Sequence, residues 1–183
     1  VLSQVDSSVG GKVAIDMGSY KNIVGAFWQP KTVIIDPNVL STLSLRQQHN
    51  GLCEALKMGL ILDDHLVSLF EQETLDIDTI ITRSIELKRD VVQQDGRESN
   101  LRKILNFGHT IGHAIESAYG LNTYLHGECV AMGMLFFIED KTLKQRVLNI
   151  YKKLDLPQVP DYDTATLLEY VTHDKKSNHN TVS

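Results

Sequence analysis

The chain has 183 residues, of which 42% are hydrophobic, and a formal net charge of −5, so one domain, or one domain and a small part, can enclose a buried core. The acidic balance and the scattered basic residues argue against a nucleic-acid-binding protein, and small molecules are the expected partners. No membrane partner is expected, because no apolar run reaches the ~18 residues of a membrane helix and no signal-peptide pattern opens the chain.

The first 44 residues contain two short β-branched runs between glycine, proline, asparagine and aspartate residues, which are typical of strands or extended segments. These runs are residues 12–16 and 32–36. Around the first run, polar residues lie among glycines and small side chains, where backbone and ammonium groups can approach an anion closely. They are Asp6, Lys12, Lys21 and Asn22. A simple glycine-rich turn is the alternative, because neither GxxxxGK[ST] nor GxGxxG is present.

After residue 44 the apolar period becomes helical. A first helix is predicted around GLCEALKMGLI and a second over DIDTIITRSIELKRDVVQQD. Further helices are predicted at about residues 107–119, 126–139, 141–154 and 163–174. The sequence therefore predicts a mainly α protein, in which residues 1–44 form a short β-containing segment and residues 45–183 form one helical domain.

Three of the seven histidines lie in the segment LNFGHTIGHAIESAYGLNTYLHGE. A four-residue step places His109 and His113 on one helix face, with β-carbons about 5–6 Å apart, so that one metal can bind both. Thr110 stands where the zinc-protease helix has its glutamate, which argues against that class. His126 begins the next helical run, where a chain reversal after Gly120 brings it toward either histidine. A surface or core pair is the alternative.

Glu54 is the best carboxylate candidate for completing such a metal site. It lies in a mostly apolar helix, where an inward-facing acid is costly unless it is paired, and Lys57 shares its face. The alternative is an ordinary pair on a solvated helix face, worth about 0.2–0.5 kcal/mol.

The two cysteines, Cys53 and Cys129, lie in helical patterns and form no CxxC pair. Reduced thiols in a cytoplasmic protein are therefore expected. The chain opens on Val1 and ends in a polar tail, and we interpret it as a piece of a longer protein.

Taken together, these segments resemble the 3-dehydroquinate synthase family. The segments QVDSSVGGK, KNIVGAFWQPKTVIID, GLCEALKMGLI, RKILNFGHTIGHAIE, LHGE and DKK occur in the order and at the spacings of that family. The resemblance implies a lyase of the shikimate pathway, which leads to chorismate and the aromatic amino acids. Its reaction converts 3-deoxy-D-arabino-heptulosonate 7-phosphate into 3-dehydroquinate and phosphate, with catalytic NAD and a divalent metal, zinc or cobalt.

The resemblance also implies an architecture, which consists of a Rossmann-like nucleotide-binding domain followed by a helical metal domain in a homodimer. Residues 1–44 correspond to the end of the nucleotide-binding domain and a linker, and residues 45–183 to the metal- and substrate-binding domain. The family's usual residues are replaced at four positions, which are Tyr20, Cys53, Gly96 and Asn100.

Individual roles are likewise implied by the resemblance. The metal ligands fall on Glu54, His109 and His126. The catalytic residues fall on Lys12, Lys57, Arg102, Asn106 and His113. The substrate-binding residues comprise these five together with Asp6, Asn22, Lys88 and one of Lys175 or Lys176, and within this set Arg102 suits the substrate carboxylate. The cofactor-binding residues fall on Lys12, Lys21, Val39, Leu40, Ser41 and Thr42.

Three other functions remain as alternatives. Another sugar-phosphate cyclase of the same superfamily shares the metal residues and NAD, but Arg102 favours a substrate with a carboxylate. A metal-dependent alcohol dehydrogenase has no use for phosphate-binding lysines. A non-catalytic helical metal-binding module is favoured by the absence of a dinucleotide fingerprint, and the same absence predicts that the isolated chain is inactive.

Overall fold

The computed structural model describes residues 2–17, 20–119 and 123–158. The helices of this part are α1 (Leu45–Leu62), α2 (Asp64–Glu71), α3 (Ile77–Gln94), α4 (His109–Tyr119), α5 (His126–Leu135) and α6 (Lys141–Lys153). The strands are β1 (Lys12–Met17) and β2 (Tyr20–Phe27), and 3₁₀ helices span Ser3–Val5, Pro37–Thr42 and Leu101–Asn106. The prediction of a mainly α chain with a short β-containing segment is confirmed. Among the described helices, none is both long enough and apolar enough to cross a membrane.

Four of the helices begin at side chains that accept a hydrogen bond from the first turn. Ser44 accepts from the Gln47 N–H at the start of α1. Aspartates do the same at the starts of α2, α3 and α6, where the caps are Asp63, Asp76 and Asp140. Such caps stabilise a helix by about 0.5–2 kcal/mol each, so the breaks between these helices are encoded locally.

Helix α1 is the central element of the core. It packs against α2, α3 and α5, and every residue from 50 to 59 is buried. Leu2 and Val5, from the first 3₁₀ helix and the residue before it, lie in the same hydrophobic cluster. Because α1 is enclosed on all sides, its charged residues Glu54 and Lys57 are also buried and need partners.

Helix α5 approaches both α1 and α4 closely through two glycines. A β-carbon at Gly127 would clash with the backbone carbonyl of Asn50 in α1, and one at Gly133 would clash with the carbonyl of Gly108. The Gly127 N–H donates to Asn50 Oδ1 at 2.7 Å. This contact brings the start of α5, and with it His126, against the middle of α1.

Two parts of the predicted secondary structure need correction. The run at residues 12–16 matches β1, but residues 32–36 form no strand within the described part of the chain. The partner of β1 is β2, with Lys12 opposite Phe27 in an antiparallel register. Among the helices, α2 is additional, and the helix predicted to end near residue 139 ends at Leu135. The helix predicted at residues 163–174 lies outside the described residues.

Candidate metal and substrate site

A cavity of about 350 Å³ lies between α1, α3, the starts of α4 and α5, and the first and last 3₁₀ helices. This volume is within the range of small-molecule sites. Many of the residues singled out from the sequence line it, and they are Asp6, Lys12, Glu54, Lys57, Lys88, Arg102, Asn106, His109, His113 and His126. Residues from distant parts of the chain thus meet at one cavity.

Glu54, His109 and His126 offer ligand atoms that all lie within 4.8 Å of one another. His109 Nε2 is 3.5 Å and His126 Nε2 is 3.8 Å from Glu54 Oε1. This carboxylate oxygen is buried, and no hydrogen bond from the described residues reaches it. A buried oxygen that faces two imidazole nitrogens without a donor is an arrangement that a divalent cation completes, so the three residues fit a metal ion.

The environment of His109 favours metal binding. Its Nδ1 lies 3.2 Å from the carbonyl oxygen of Phe107, so a proton on Nδ1 donates there and leaves the Nε2 lone pair toward Glu54. Burial, and then the positive charge of Lys57, lowers the pKa of His109 to about 3. The imidazole is therefore neutral at pH 7, which is the state that binds a metal.

Glu54 and Lys57 form a buried ion pair. Lys57 Nζ lies 2.6 Å from Glu54 Oε2 and donates to the carbonyl oxygen of Leu105 at 2.7 Å. Burial by itself raises the pKa of Glu54, but the positive charge of the adjacent Lys57 is the main cause that lowers it, to about 2. The carboxylate is therefore ionised at pH 7. The alternative of a solvated pair is excluded, because Glu54 is only 9% and Lys57 only 2% exposed.

His113 lines the same cavity one helical turn after His109. The centroid of its ring lies 5.4 Å from that of His109 and 5.7 Å from that of His126. His113, Glu116 and His126 form a second group whose ligand atoms lie within 4.8 Å of one another. In this group His126 Nδ1 is 3.6 Å from Glu116 Oε2, and the Glu116 carboxylate raises the pKa of His126.

The cavity lining also carries cationic and amide groups with acidic partners. Lys88 Nζ donates to the carbonyl oxygen of Asp6 at 2.7 Å and to its Oδ2 at 3.0 Å. Burial lowers the pKa of Lys88, and the charge of Asp6 opposes this effect. Lys12 forms an ion pair with Glu98, and Asn106 Nδ2 donates to Glu98 Oε1 at 3.0 Å. Lys12, Lys88 and Asn106 thus form a wall of cationic and amide groups at the cavity.

Arg102 is buried beside this wall. Its Nη1 donates to the carbonyl oxygens of Gly10 and Gly96, both at 2.9 Å. Within the described residues its Nε and Nη2 donate no hydrogen bond, and Nη2 packs against Gly10. The loop before Arg102 is held by the carboxylate of Asp95, which accepts from the backbone N–H groups of Ser99, Asn100 and Arg102.

Some of the predicted site residues are not among the described residues that line the cavity. The side chains of Lys21, Asn22, Lys175 and Lys176 lie outside the described residues. The predicted cofactor residues Val39, Leu40, Ser41 and Thr42 belong to the 3₁₀ helix Pro37–Thr42 and are not part of the cavity lining formed by the described residues. Leu40 is buried in the core, and the hydroxyls of Ser41 and Thr42 donate to backbone carbonyls.

Three residues at the site were not identified from the sequence. Glu98 has a backbone φ of 58°, a left-handed conformation that no local pattern in the sequence indicates. Asn50 and Glu116 give a weak signal, because each lies three or four residues from a candidate on the same helix. The contacts of Asn50 and Glu116 with α5 depend on how the helices pack against each other, which the local sequence does not show.

Comparison with known families gives matches over most of the chain. The family model described as the 3-dehydroquinate synthase C-terminal domain matches residues 51–177, and the model described as the N-terminal domain matches residues 1–50. The chain is 45% identical to the 3-dehydroquinate synthase of Caldanaerobacter subterraneus subsp. tengcongensis, with 96% of this chain and 54% of that protein covered. It is 43% identical to that of Geotalea uraniireducens, with the same shares covered. The chain thus spans about half the length of these relatives.

Solved structures of related cyclases also resemble the chain. A 2-epi-5-epi-valiolone synthase from Streptomyces hygroscopicus subsp. jinggangensis with NAD⁺ and Zn²⁺ bound is 28% identical, with a TM-score of 0.80 over 93% of this chain and 54% of that one. A 2-deoxy-scyllo-inosose synthase complexed with carbaglucose-6-phosphate, NAD⁺ and Co²⁺ is also 28% identical. Its TM-score is 0.82, over 100% of this chain and 54% of that one.

Proposed function

Because this chain belongs to the 3-dehydroquinate synthase family, we propose that it supplies the metal- and substrate-binding residues of such a synthase. The proposed reaction converts 3-deoxy-D-arabino-heptulosonate 7-phosphate into 3-dehydroquinate and phosphate. The observation that carries the proposal is the cavity, where an unsatisfied carboxylate oxygen between two imidazoles lies near a wall of cationic and amide groups. A sugar phosphate with an oxidisable carbinol needs both features.

The metal-binding residues are Glu54, His109 and His126. A zinc or cobalt ion bound there supplies Lewis-acid polarisation of a substrate oxygen. The residues of this chain keep the metal-binding side chains in the required protonation state and tautomer. Lys57 keeps the Glu54 carboxylate ionised, and the carbonyl of Phe107 fixes the His109 tautomer that leaves Nε2 unprotonated.

The wall of cationic and amide groups is proposed to hold the phosphate group. Lys12, Asn106 and His113 donate to its oxygens, and charge-assisted bonds of this kind strengthen as negative charge grows on the departing phosphate. His113 lies beside the other two histidines and lines the same cavity as the wall, and we assign it to holding or moving a proton at a phosphate oxygen. Arg102 binds the substrate carboxylate through its Nε and Nη2 edge, which suits a bidentate contact.

The proposed reaction uses NAD catalytically, as the NAD⁺ in the two related cyclases suggests. Among the described residues, Lys12 is the only predicted cofactor residue that lines the cavity. We therefore propose that NAD is bound mainly by a further nucleotide-binding part, as expected for a chain that spans about half of its relatives.

A second candidate is another sugar-phosphate cyclase, since the two solved relatives have this activity in their names. The two functions differ in the substrate's carboxylate. We expect the zinc-loaded chain to bind 3-deoxy-D-arabino-heptulosonate 7-phosphate at least about tenfold more tightly than glucose 6-phosphate, which has no carboxylate. Isothermal titration with the two ligands tests this expectation. Equal or reversed affinities would favour the second candidate.

A further inference from the structure

Glu116 lies next to the metal-binding group but is not one of its three residues. Its side chain is only 12% exposed, and its Oε2 is 3.6 Å from Nδ1 of His126. The other ring nitrogen of His126, Nε2, is 3.8 Å from Glu54 Oε1. The imidazole of His126 therefore stands between two carboxylates, one on each side of the ring.

His126 needs an orienting partner more than His109 does. His109 is 17% exposed and its Nδ1 is held by the Phe107 carbonyl, whereas 44% of the His126 side chain is exposed. His126 is also the first residue of α5, so its ring lies at a helix end. A half-exposed ring in that position has several accessible orientations, and in some of them Nε2 does not face Glu54.

We propose that Glu116 is a positioning residue that holds the Nδ1–H of His126 and so directs its Nε2 lone pair toward Glu54 and a bound metal ion. A carboxylate–histidine–metal arrangement fixes the tautomer and the ring orientation and raises the basicity of the ligand nitrogen. The inference rests on the metal centre of the proposed function. It adds Glu116 of α4 to the determinants of metal affinity.

A second metal ion bound by His113, Glu116 and His126 is the competing interpretation, because their ligand atoms are also close together. The two arrangements exclude each other at His126. When Nε2 binds one metal, Nδ1 of a neutral imidazole carries the only ring proton, and it cannot bind a second metal without losing that proton. The positioning role therefore predicts one metal ion per chain.

The test uses Zn²⁺ and Co²⁺ with the whole 183-residue chain. Metal affinity is measured by competition with a chelator, and the Co²⁺ site is followed by its visible absorption. Loss of such an orienting partner typically costs about 10- to 100-fold in metal affinity, so we expect that loss for Glu116→Ala. Glu116→Gln should fall between wild type and Glu116→Ala, because its amide oxygen still accepts a hydrogen bond from Nδ1–H. This nearly isosteric variant also keeps the test valid if the alanine variant does not fold.

Glu139→Gln is the matched control, because it makes the same charge change at an exposed residue away from the cavity. It should bind both metals like wild type. In the zinc-loaded wild-type chain, ¹⁵N NMR should show the His126 proton on Nδ1, and the Co²⁺ spectrum should change in Glu116→Ala but not in the control.

Three results would overturn the inference. Wild-type affinity in both Glu116 variants means that Glu116 does not position His126. Two metal ions per wild-type chain, falling to one in Glu116→Ala, means that Glu116 is itself a ligand. A wild-type chain that binds neither metal removes the metal centre of the proposed function, and this outcome is distinct from the other two.

Discussion

At the scale of single residues, the three imidazoles of the cavity have different neighbours although their ring centroids lie only 5.4–5.7 Å apart. His109 and His126 each direct Nε2 toward Glu54 Oε1. We therefore expect His109→Ala and His126→Ala to lose zinc on dialysis, with affinity reduced by more than about 10- to 100-fold, and His113→Ala to keep it. Elemental analysis of the three variants measures this directly. A zinc-free His113→Ala with a loaded His109→Ala would reverse our assignment.

Arg102→Lys should weaken the binding of the carboxylate-bearing substrate. The charge is retained, but a lysine cannot make two parallel bonds to a carboxylate. Titration with 3-deoxy-D-arabino-heptulosonate 7-phosphate should show a loss of about tenfold or more, while inorganic phosphate binding is unchanged. The variant also leaves the carbonyls of Gly10 and Gly96 without their donor, so its melting temperature should fall. Unchanged affinity for the substrate would show that Arg102 does not bind the carboxylate.

Glu98 contacts the groups that are proposed to bind phosphate, namely Lys12 and Asn106. Its carboxylate competes with an incoming anion for these donors, so Glu98→Gln should bind inorganic phosphate more tightly. The Lys12 side chain is 47% exposed, and an exposed ion pair is worth about 0.2–1 kcal/mol, so the gain should not exceed about fivefold. Phosphate titration of the wild-type chain and of Glu98→Gln measures this change in affinity. Weaker binding in the variant would indicate that Glu98 assists the ligand instead.

At the scale of elements, the loop between α3 and the last 3₁₀ helix is held by one carboxylate. The backbone N–H groups of Arg102 and Asn100 donate to Asp95 and hold the pKa of its carboxyl well below the usual range. A lowered folded-state pKa stabilises the fold above the ordinary aspartate value of about 3.9, and this contribution is lost as the pH falls below that value. Asp95→Asn should therefore melt at a lower temperature than wild type at pH 7, and the difference should shrink toward pH 2. A difference in melting temperature that does not change with pH would contradict this role of the Asp95 carboxylate.

At the scale of elements, the sequence predicts part of the fold. The helical period is a local signal, and the helices it predicts within the described residues are present, with observed caps at Ser44, Asp76 and Asp140. Strand pairing is not indicated by composition in the same way. Residues 32–36 have the composition of a strand, but β1 pairs with residues 20–27, and Ile34 is left 90% exposed. Composition alone does not reveal which segment completes a sheet.

The candidate site was predictable to a similar extent. The four-residue step placed His109 and His113 on one helix face, and the apolar surroundings of Glu54 indicated a buried acid. Local periodicity could not show which histidine faces Glu54, because that depends on how closely α5 approaches α1 at Gly127. The roles of individual residues came from the resemblance to a family, and they remain predictions until they are tested.

At the scale of the whole molecule, the cavity joins segments that are far apart in the chain. Asp6 near the start, Glu54 in α1, Arg102 after α3 and His126 in α5 all line it. Lys88 in α3 contacts Asp6 across 82 positions of sequence. The proposed metal binding and the proposed substrate binding therefore both depend on the packing of the helical core as a unit, and a core substitution in α1 should affect both together.

The last prediction concerns the activity of the chain as a whole. Hydride transfer requires a nicotinamide held against the substrate, and among the described residues Lys12 is the only predicted cofactor residue that lines the cavity. The purified 183-residue chain, loaded with zinc, should therefore bind the sugar phosphate yet release phosphate no faster than its His109→Ala variant, at saturating substrate and millimolar NAD. A phosphate-release assay, with zinc binding measured on the same samples, separates an inactive but folded chain from an unfolded one. Turnover above the variant's background would show that the chain binds NAD productively by itself.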